Sequence, residues 1–144
     1  MDKVRVSCLR CGATNNYPLE AEGKAVVCGR CKNPLSVPGA VLEPAPEEVQ
    51  TLLQSGRLPI LIDFYSPTCG PCQAMHPVVE RLAQRRRGEV MILKVDVNSQ
   101  PELASSFDIQ AVPTFVVFSR GYERGRTSGA MSETDFSLWV ASKT

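Results

Sequence analysis

At 144 residues the chain has room for one domain, or one domain with a small satellite, and 43% hydrophobic content is ordinary for a soluble fold. Sixteen Lys/Arg against fifteen Asp/Glu leave a net charge of +1, which argues against a general electrostatic grip on nucleic acid or on a membrane surface. No apolar stretch approaches the ~20 residues needed to span a bilayer, and the N-terminus, MDKVRVSCLRCG, lacks the apolar core of a secretory signal, so a cytoplasmic protein is expected.

The first feature along the chain is a set of four cysteines, Cys8, Cys11, Cys28 and Cys31, arranged as CLRC, a 16-residue gap, then CGRC. That is the spacing of a zinc site, in which two CxxC knuckles each present two sulfurs to one tetrahedral ion. Gly12 and Gly29 are candidates for the positive-φ positions that such tight turns need. Between the knuckles, Asn15–Val27 reads as a short hairpin with little to bury. A module of about 38 residues cannot support a core of its own, so one structural Zn2+ per chain would be its main source of folding energy. Two structural disulfides and a second dithiol centre are the weaker alternatives, the first disfavoured by a reducing compartment. The module carries Lys3, Arg5, Arg10, Lys24, Arg30 and Lys32 against Asp2, Glu20 and Glu22. Without interleaved aromatics beyond Tyr17, this reads as a solvated basic face and not a nucleic-acid surface.

Pro34, Pro38, Gly39, Pro44 and Pro46 mark the passage to a second module, which sets the expected domains at 1–38 and 39–144. Glu47–Ser55 reads as a helix ended near Gly56, and Leu58–Tyr65 is a near-continuous apolar run that suits a central strand covered on both faces. After it comes Cys69-Gly-Pro-Cys72, then helical spacing of Met75, Val78, Val79 and Leu82 to about Arg87, with Pro77 expected to kink it. Two thiols two residues apart, where a strand hands over to a helix, can close a small disulfide ring and reopen it. Cys69 falls at the expected helix N-terminus, where unpaired N–H groups and the helix dipole favour a thiolate, and Pro71 suits the first turn. His76 reads as an ordinary helix residue, and Arg85–Arg87 as cations complementing the helix C-terminus. Val90–Val97 is the next strand and Pro101–Phe107 a short helix. Thr114–Ser119 and Tyr122–Ser128 form a hairpin turning at Arg120-Gly121, and Ser132–Ser142 closes the chain as a helix. A βαβ unit followed by a hairpin and a helix indicates an α/β fold, a mixed sheet with helices on both faces.

Asp63 is the second chemical feature. A carboxyl on an apolar strand, six residues before Cys69, is costly unless paired or protonated. Burial would raise its pKa and fit it to exchange a proton with Cys72. A purely structural pairing of Asp63 is the alternative.

The segment LIDFYSPTCGPCQAMHP resembles the active-site stretch of thioredoxins, and the likeness runs from about Val41 to the C-terminus through Asp63, Pro77, Lys94, Val112-Pro113-Thr114, Gly121 and Gly129. With four cysteines ahead of it, the whole chain is similar to the bacterial thioredoxin 2 type, in which a zinc ribbon precedes the thioredoxin fold. The resemblance implies a protein-disulfide reductase without organic cofactor, acting on oxidised protein substrates, with a thioredoxin reductase as electron donor. It implies Cys69 as attacker, Cys72 as resolver, Asp63 as proton partner and Lys94 as the cation beside Asp63. It further implies a substrate groove formed by Thr68, Gly70, Pro71, Val112, a cis Pro113, Gly129 and Ala130. The chain departs from the family pattern at Thr68, where a Trp is usual, at Tyr65 (another Trp), at Gln73 (Lys) and at Ala111 (Gly). These departures bear on docking surface and on recognition by a reductase, not on the exchange chemistry. A zinc-dependent redox sensor or chaperone-like binding module is the competing reading from another class.

Overall fold

The structure is a computed structural model that describes residues 3–8, 11–18, 26–33, 35, 41–55 and 58–144. The linker marks Pro34, Pro38 and Gly39, the helix stop Gly56, and the charged Asp2, Arg10, Glu20, Glu22 and Lys24 lie outside the described residues.

The described residues form two sheets. The first is a two-stranded antiparallel pair, β1 (Lys3–Ser7) and β2 (Thr14–Pro18), registered Lys3↔Pro18 to Ser7↔Thr14. Its turn is the first cysteine knuckle. β2 pairs with the strand before the knuckle, and residues 19–25 of the hairpin expected within Asn15–Val27 lie outside the described residues.

The second sheet has five strands in the order β3-β5-β4-β6-β7. They are β3 (Val41–Leu42), β4 (Ile60–Tyr65), β5 (Met91–Asp96), β6 (Thr114–Ser119) and β7 (Tyr122–Ser128). β3, β5 and β4 run parallel; β6 pairs antiparallel with β4, and β7 antiparallel with β6. Among the described residues the helices are α1 (Pro46–Ser55), α2 (Gly70–Arg85), α3 (Pro101–Ser106) and α4 (Glu133–Lys143).

Strand alternation sorts the side chains into two cores. Ile60, Ile62 and Phe64 of β4 join Leu93, Val95, Val116 and Phe118 beneath Val49, Leu52 and Leu53 of α1. Leu61, Ile92, Phe115 and Val117 point the other way, beneath Met75, Val78, Val79 and Leu82 of α2 and Phe136 and Val140 of α4. Phe115 and Phe136 meet with ring centroids 4.8 Å apart. Because Asp63 follows Ile62, the two-residue period turns it to the α2 side, and its register partner Lys94 falls on that side too. This is how the fold brings a carboxyl under the helix that carries the thiols.

Local chemistry explains the boundaries. The β6–β7 hairpin turns at Arg120 (φ 54°) and Gly121 (φ 82°), and two consecutive positive φ values match the right-handed twist of the flanking strands. Ser132 caps α4 by accepting the Asp135 N–H at 3.1 Å. Helix α2 continues through Pro77 to Arg85. Arg85, expected to do no more than complement the helix dipole, donates to Glu133 at 2.7 Å and to Ser137 at 2.6 Å, while Arg81 forks onto the same Glu133 carboxylate. Those side-chain bonds from Arg81, then Arg85, hold the Glu133 carboxyl down at about 2 and tie α2 to α4. Among the described residues, no helix is long and apolar enough to cross a membrane.

Candidate functional site

Where β4 ends, a short turn delivers the chain to α2, and Cys69 is the N-cap of that helix, with extended φ/ψ of −89°/117°. Its Sγ accepts the Cys72 N–H at 3.2 Å, taking the place that a Ser or Asp oxygen fills at other helix starts. A negative sulfur there faces the positive end of the helix dipole. Gly70 and Pro71 occupy the first turn, where no backbone donor is lost by the proline. Cys69 and Cys72 are joined by a disulfide, with Cα atoms 5.2 Å apart. The two sulfurs are not equivalent: Cys69 is half-buried, whereas Cys72 is 6% exposed. Before the dithiol, buried Ser66 binds Thr68 Oγ1 at 3.2 Å and accepts from Asn98 at 2.9 Å, so exposed Thr68 stands on a polar network.

On the inner side, Asp63 and Cys72 line one cavity of about 390 Å³ together with Tyr65, Gln73, His76 and Lys94. Asp63 is 3% exposed, and its Oδ1 has no hydrogen-bond partner. Burial pushes the carboxyl up to about 7, against the opposing pull of the Lys94 charge. The Lys94 ammonium, however, makes no direct pair with Asp63. It donates to His76 Nδ1 at 2.9 Å and lies 4.0 Å from Glu43 Oε1. The expected Asp63–Lys94 partnership is thus one of field, not contact, and His76 is no bystander.

On the outer side, the Val112 carbonyl lies 3.7 Å from Cys69 Sγ, and the Val112–Pro113 peptide is cis. Gly129 donates to the Pro113 carbonyl at 2.9 Å from a backbone with φ 92°, a conformation that a side chain would strain. Ala130 follows it, exposed. Of the residues expected to form a groove, Val112 meets Cys69 and Gly129 is tied to Pro113, and none of them lines the Asp63 cavity.

The N-terminal cysteines form a separate constellation. Cys8, Cys11, Cys28 and Cys31 are free, and their four sulfurs lie within 4.8 Å of one another. Cys8–Cys31 and Cys11–Cys28 are each 3.6 Å apart. Tetrahedral zinc with bonds of ~2.3 Å needs sulfurs ~3.8 Å apart, so the donor set fits that ion. The two knuckles repeat one backbone pattern. Gly12 N–H bonds the Cys8 carbonyl and Lys32 N–H the Cys28 carbonyl, both at 2.9 Å, with positive φ at Gly12 (77°) and Lys32 (65°). The positive-φ position of the second knuckle is thus Lys32, directly after its second cysteine, and not Gly29. Gly29 instead donates its N–H to Asn15 Oδ1 at 2.9 Å. Cys28 is pulled down to about 6 by the Cys31 N–H, then by Asn15 and the Arg30 N–H, and Cys31 is lowered by the Asn33 backbone and side chain. Those donors favour thiolates at Cys28 and Cys31, the form that a metal binds, whereas at Cys11 the Ala13 N–H bond is outweighed by burial and the neighbouring sulfurs, which push the thiol up to about 11.

The thioredoxin family model matches residues 40–142. Thioredoxin C-3 of Corynebacterium nephridii is 30% identical over 135 residues, covering 94% of this chain and 92% of that protein. The chain belongs to the thioredoxin family. It is a thiol–disulfide oxidoreductase of that family, with a four-cysteine cluster at its N-terminus. Thioredoxin 1 of Chlorobaculum tepidum is 35% identical over 85 residues, which are 59% of this chain and 84% of that one. Among solved structures, a mutant thioredoxin from Halobacterium salinarum NRC-1 superposes with a TM-score of 0.63 at 31% identity, covering 72% of this chain and 88% of the other. The match to thioredoxin C-3 is long enough to take in most of the N-terminal segment as well as the thioredoxin fold.

Sequence reasoning missed Glu43, His76 and Tyr65 as a group around Lys94. His76 lies one turn after Cys72, at i+4, a spacing that places both on one side of α2. That signal was available, whereas Glu43 depends on β3, a two-residue strand with no pattern to read.

A raised carboxyl is also a statement about stability. The protonated form of Asp63 is the one the fold prefers, so its contribution is complete below the unfolded-state pKa near 4 and is lost as pH rises to about 7. The loss is on the order of 4 kcal/mol at most. Asp63→Asn, which removes the ionisation at nearly constant shape, is therefore expected to unfold at higher temperature than the wild type at pH 8, with the gap closing towards pH 4. Thermal unfolding of the oxidised proteins across that range checks it; a gap independent of pH contradicts this ionisation.

Proposed function

We propose that this thioredoxin-family protein is a protein-disulfide reductase working through Cys69 and Cys72. The observation that carries the reading is the asymmetry of the pair: an accessible sulfur at a helix N-cap, and a buried one beside an ionisable carboxyl with no hydrogen bond to Oδ1. Cys69, as thiolate, attacks a substrate disulfide. One substrate sulfur bonds to Cys69, and the other leaves and takes a proton. Cys72 then gives its proton to the Asp63 carboxylate and attacks Cys69, so that the Cys69–Cys72 bond forms, the Cys69–substrate bond breaks, and the second substrate sulfur leaves as a thiolate that takes a proton. Two electrons pass from the dithiol to the substrate, and a dithiol donor of the thioredoxin reductase kind restores the pair.

Magnitudes say which step the protein must organise. Thioredoxins are the familiar example of a CxxC thiol lowered from ~8.5 to ~7, which raises the thiolate fraction at neutral pH about fifteenfold. Intrinsic nucleophilicity falls by roughly fivefold over the same shift, leaving a net gain of about threefold. Holding Cys72 against the mixed disulfide, and taking its proton, therefore matters more than thiolate supply.

Beside Cys69, an extended substrate strand is proposed to pair with the Val112 backbone between Thr68, Gly70 and Pro71 on one side and Pro113, Gly129 and Ala130 on the other. Thr68, held by Ser66, offers that strand a hydroxyl where the family usually offers an indole, so more polar substrate segments are favoured.

For the N-terminal cluster we infer a structural Zn2+ held by Cys8, Cys11, Cys28 and Cys31, which places the chain in the thioredoxin 2 type. Four protein ligands leave no open position, so the ion would supply folding energy and no chemistry. The division at residues 1–38 and 39–144 and a cytoplasmic location, where such thiols stay reduced, go with this reading.

Two outcomes follow. Cys69→Ser is expected to abolish reduction of a protein disulfide, whereas Cys72→Ser retains the attack and accumulates the mixed disulfide; equal trapping by both variants contradicts the assignment of roles. Metal analysis of the full chain is expected to give about one zinc per chain, with loss in Cys28→Ser; a metal-free protein that keeps the knuckle fold contradicts the zinc reading.

A further inference from the structure

The cavity beside Cys72 contains more charge than the exchange reaction uses. Lys94 is nine-tenths buried, and its ammonium has three donors and no acceptor. One donor reaches His76 Nδ1 at 2.9 Å. That ring nitrogen must therefore be the unprotonated one, with the imidazole proton on Nε2, which lies 3.5 Å from Glu80 Oε1. Glu43 Oε1 stands 4.0 Å from the same ammonium and accepts the Tyr65 hydroxyl at 3.1 Å, while the Tyr65 ring lies 4.4 Å from Lys94 Nζ. Burial, then the Glu43 charge, pushes the Tyr65 phenol up to about 12, so it remains the donor in that pair.

Asp63 receives none of this. It is the register partner of Lys94, yet the longer lysine stem carries the ammonium past it to two partners that are half or more exposed. We propose that His76 and Glu43 are positioning residues that hold the Lys94 ammonium at the outer end of the cavity, away from the Asp63 carboxyl, so that the carboxyl beside Cys72 has no cation within hydrogen-bond range.

The consequence follows from Coulomb's law. An ammonium in contact stabilises a carboxylate far more than one held several ångströms off. With Lys94 held outward, burial dominates and Asp63 titrates near neutrality, where a carboxyl can both take and return the Cys72 proton. Should the clamp fail, Asp63 Oδ1 is the buried acceptor still lacking a partner, and the lysine would turn to it. The ionisable groups around this assembly are Glu80 and Cys72 from α2, Asp63 and Tyr65 from β4, Lys94 and Asp96 from β5, and Glu43 after β3. The catalytic meaning of the clamp rests on the reading of Asp63 as the proton partner of Cys72. The positioning itself does not.

The test is an NMR titration of the Asp63 carboxyl in the full chain, using carboxyl-labelled aspartate. His76→Leu removes the acceptor and is expected to lower the Asp63 midpoint by about one unit as Lys94 turns inward. His76→Asn, whose Oδ1 replaces Nδ1 as acceptor, is expected to stay with the wild type. Glu43→Gln is expected to shift the midpoint in the same direction as His76→Leu. In a Lys94→Met background, His76→Leu should no longer move it. The proposal is overturned if neither His76→Leu nor Glu43→Gln moves the midpoint, or if the His76→Leu shift persists undiminished without Lys94, for then the imidazole acts on Asp63 directly. If His76→Leu does not fold, Glu43→Gln with and without Lys94→Met carries the same comparison. Because the titration reads the carboxyl and not turnover, failure of the clamp is distinguishable from failure of the proposed reductase mechanism, which the Cys69 and Cys72 variants test.

Discussion

The site depends on one unfavourable placement, a carboxyl buried on the central strand of the sheet. Asp63 sits between Ile62 and Phe64, both fully buried, and the strand period leaves it nowhere to go but under α2. A fold selected only for stability would put a valine there. Under the proposed mechanism the carboxyl has a use, because it lies beside a buried thiol that gives up a proton at neutral pH. The neighbouring features then have a common logic. β4 aims the carboxyl and also delivers Cys69 to the helix start, while α2 places Cys72 and His76 over the cavity. Lys94 supplies a cation whose distance is set by its partners at the cavity mouth.

The N-terminal cysteines answer a different problem. Their small cluster of Cys8, Tyr17, Cys28 and Leu35 is too slight to hold a fold by burial, so organisation comes from repeated backbone bonds and convergent sulfurs. Both knuckles need a residue at positive φ directly after the second cysteine. Glycine serves in one and lysine in the other, so the position does not require glycine.

Much of this was legible in the chain. The near-continuous apolar run before the dithiol, the CGPC step and the cysteine spacing carry strong local signals, and the β6 and β7 boundaries coincide with those read from Thr114–Ser119 and Tyr122–Ser128. What sequence could not supply was direction. Nothing local says that Lys94 reaches His76 and not Asp63, because the choice depends on side-chain length across a strand pair. Arg85 was similarly opaque: a cation at a helix end satisfies the dipole, and only the packing of α4 shows that Glu133 claims it. The two residues of β3 have no periodicity at all, yet they bring Glu43 to 4.0 Å from the Lys94 ammonium.

In the proposed mechanism Asp63 handles the Cys72 proton during resolution. The most direct measurement is the rate at which an isolated mixed disulfide on Cys69 resolves, followed from pH 5 to 9 in the wild type and in Asp63→Asn. The account predicts a wild-type profile with an inflection near the Asp63 midpoint of about 7. In the variant that inflection should vanish, and the rate should fall by about 10²-fold. An Asp63→Asn protein that resolves at the wild-type rate with the same inflection would contradict it.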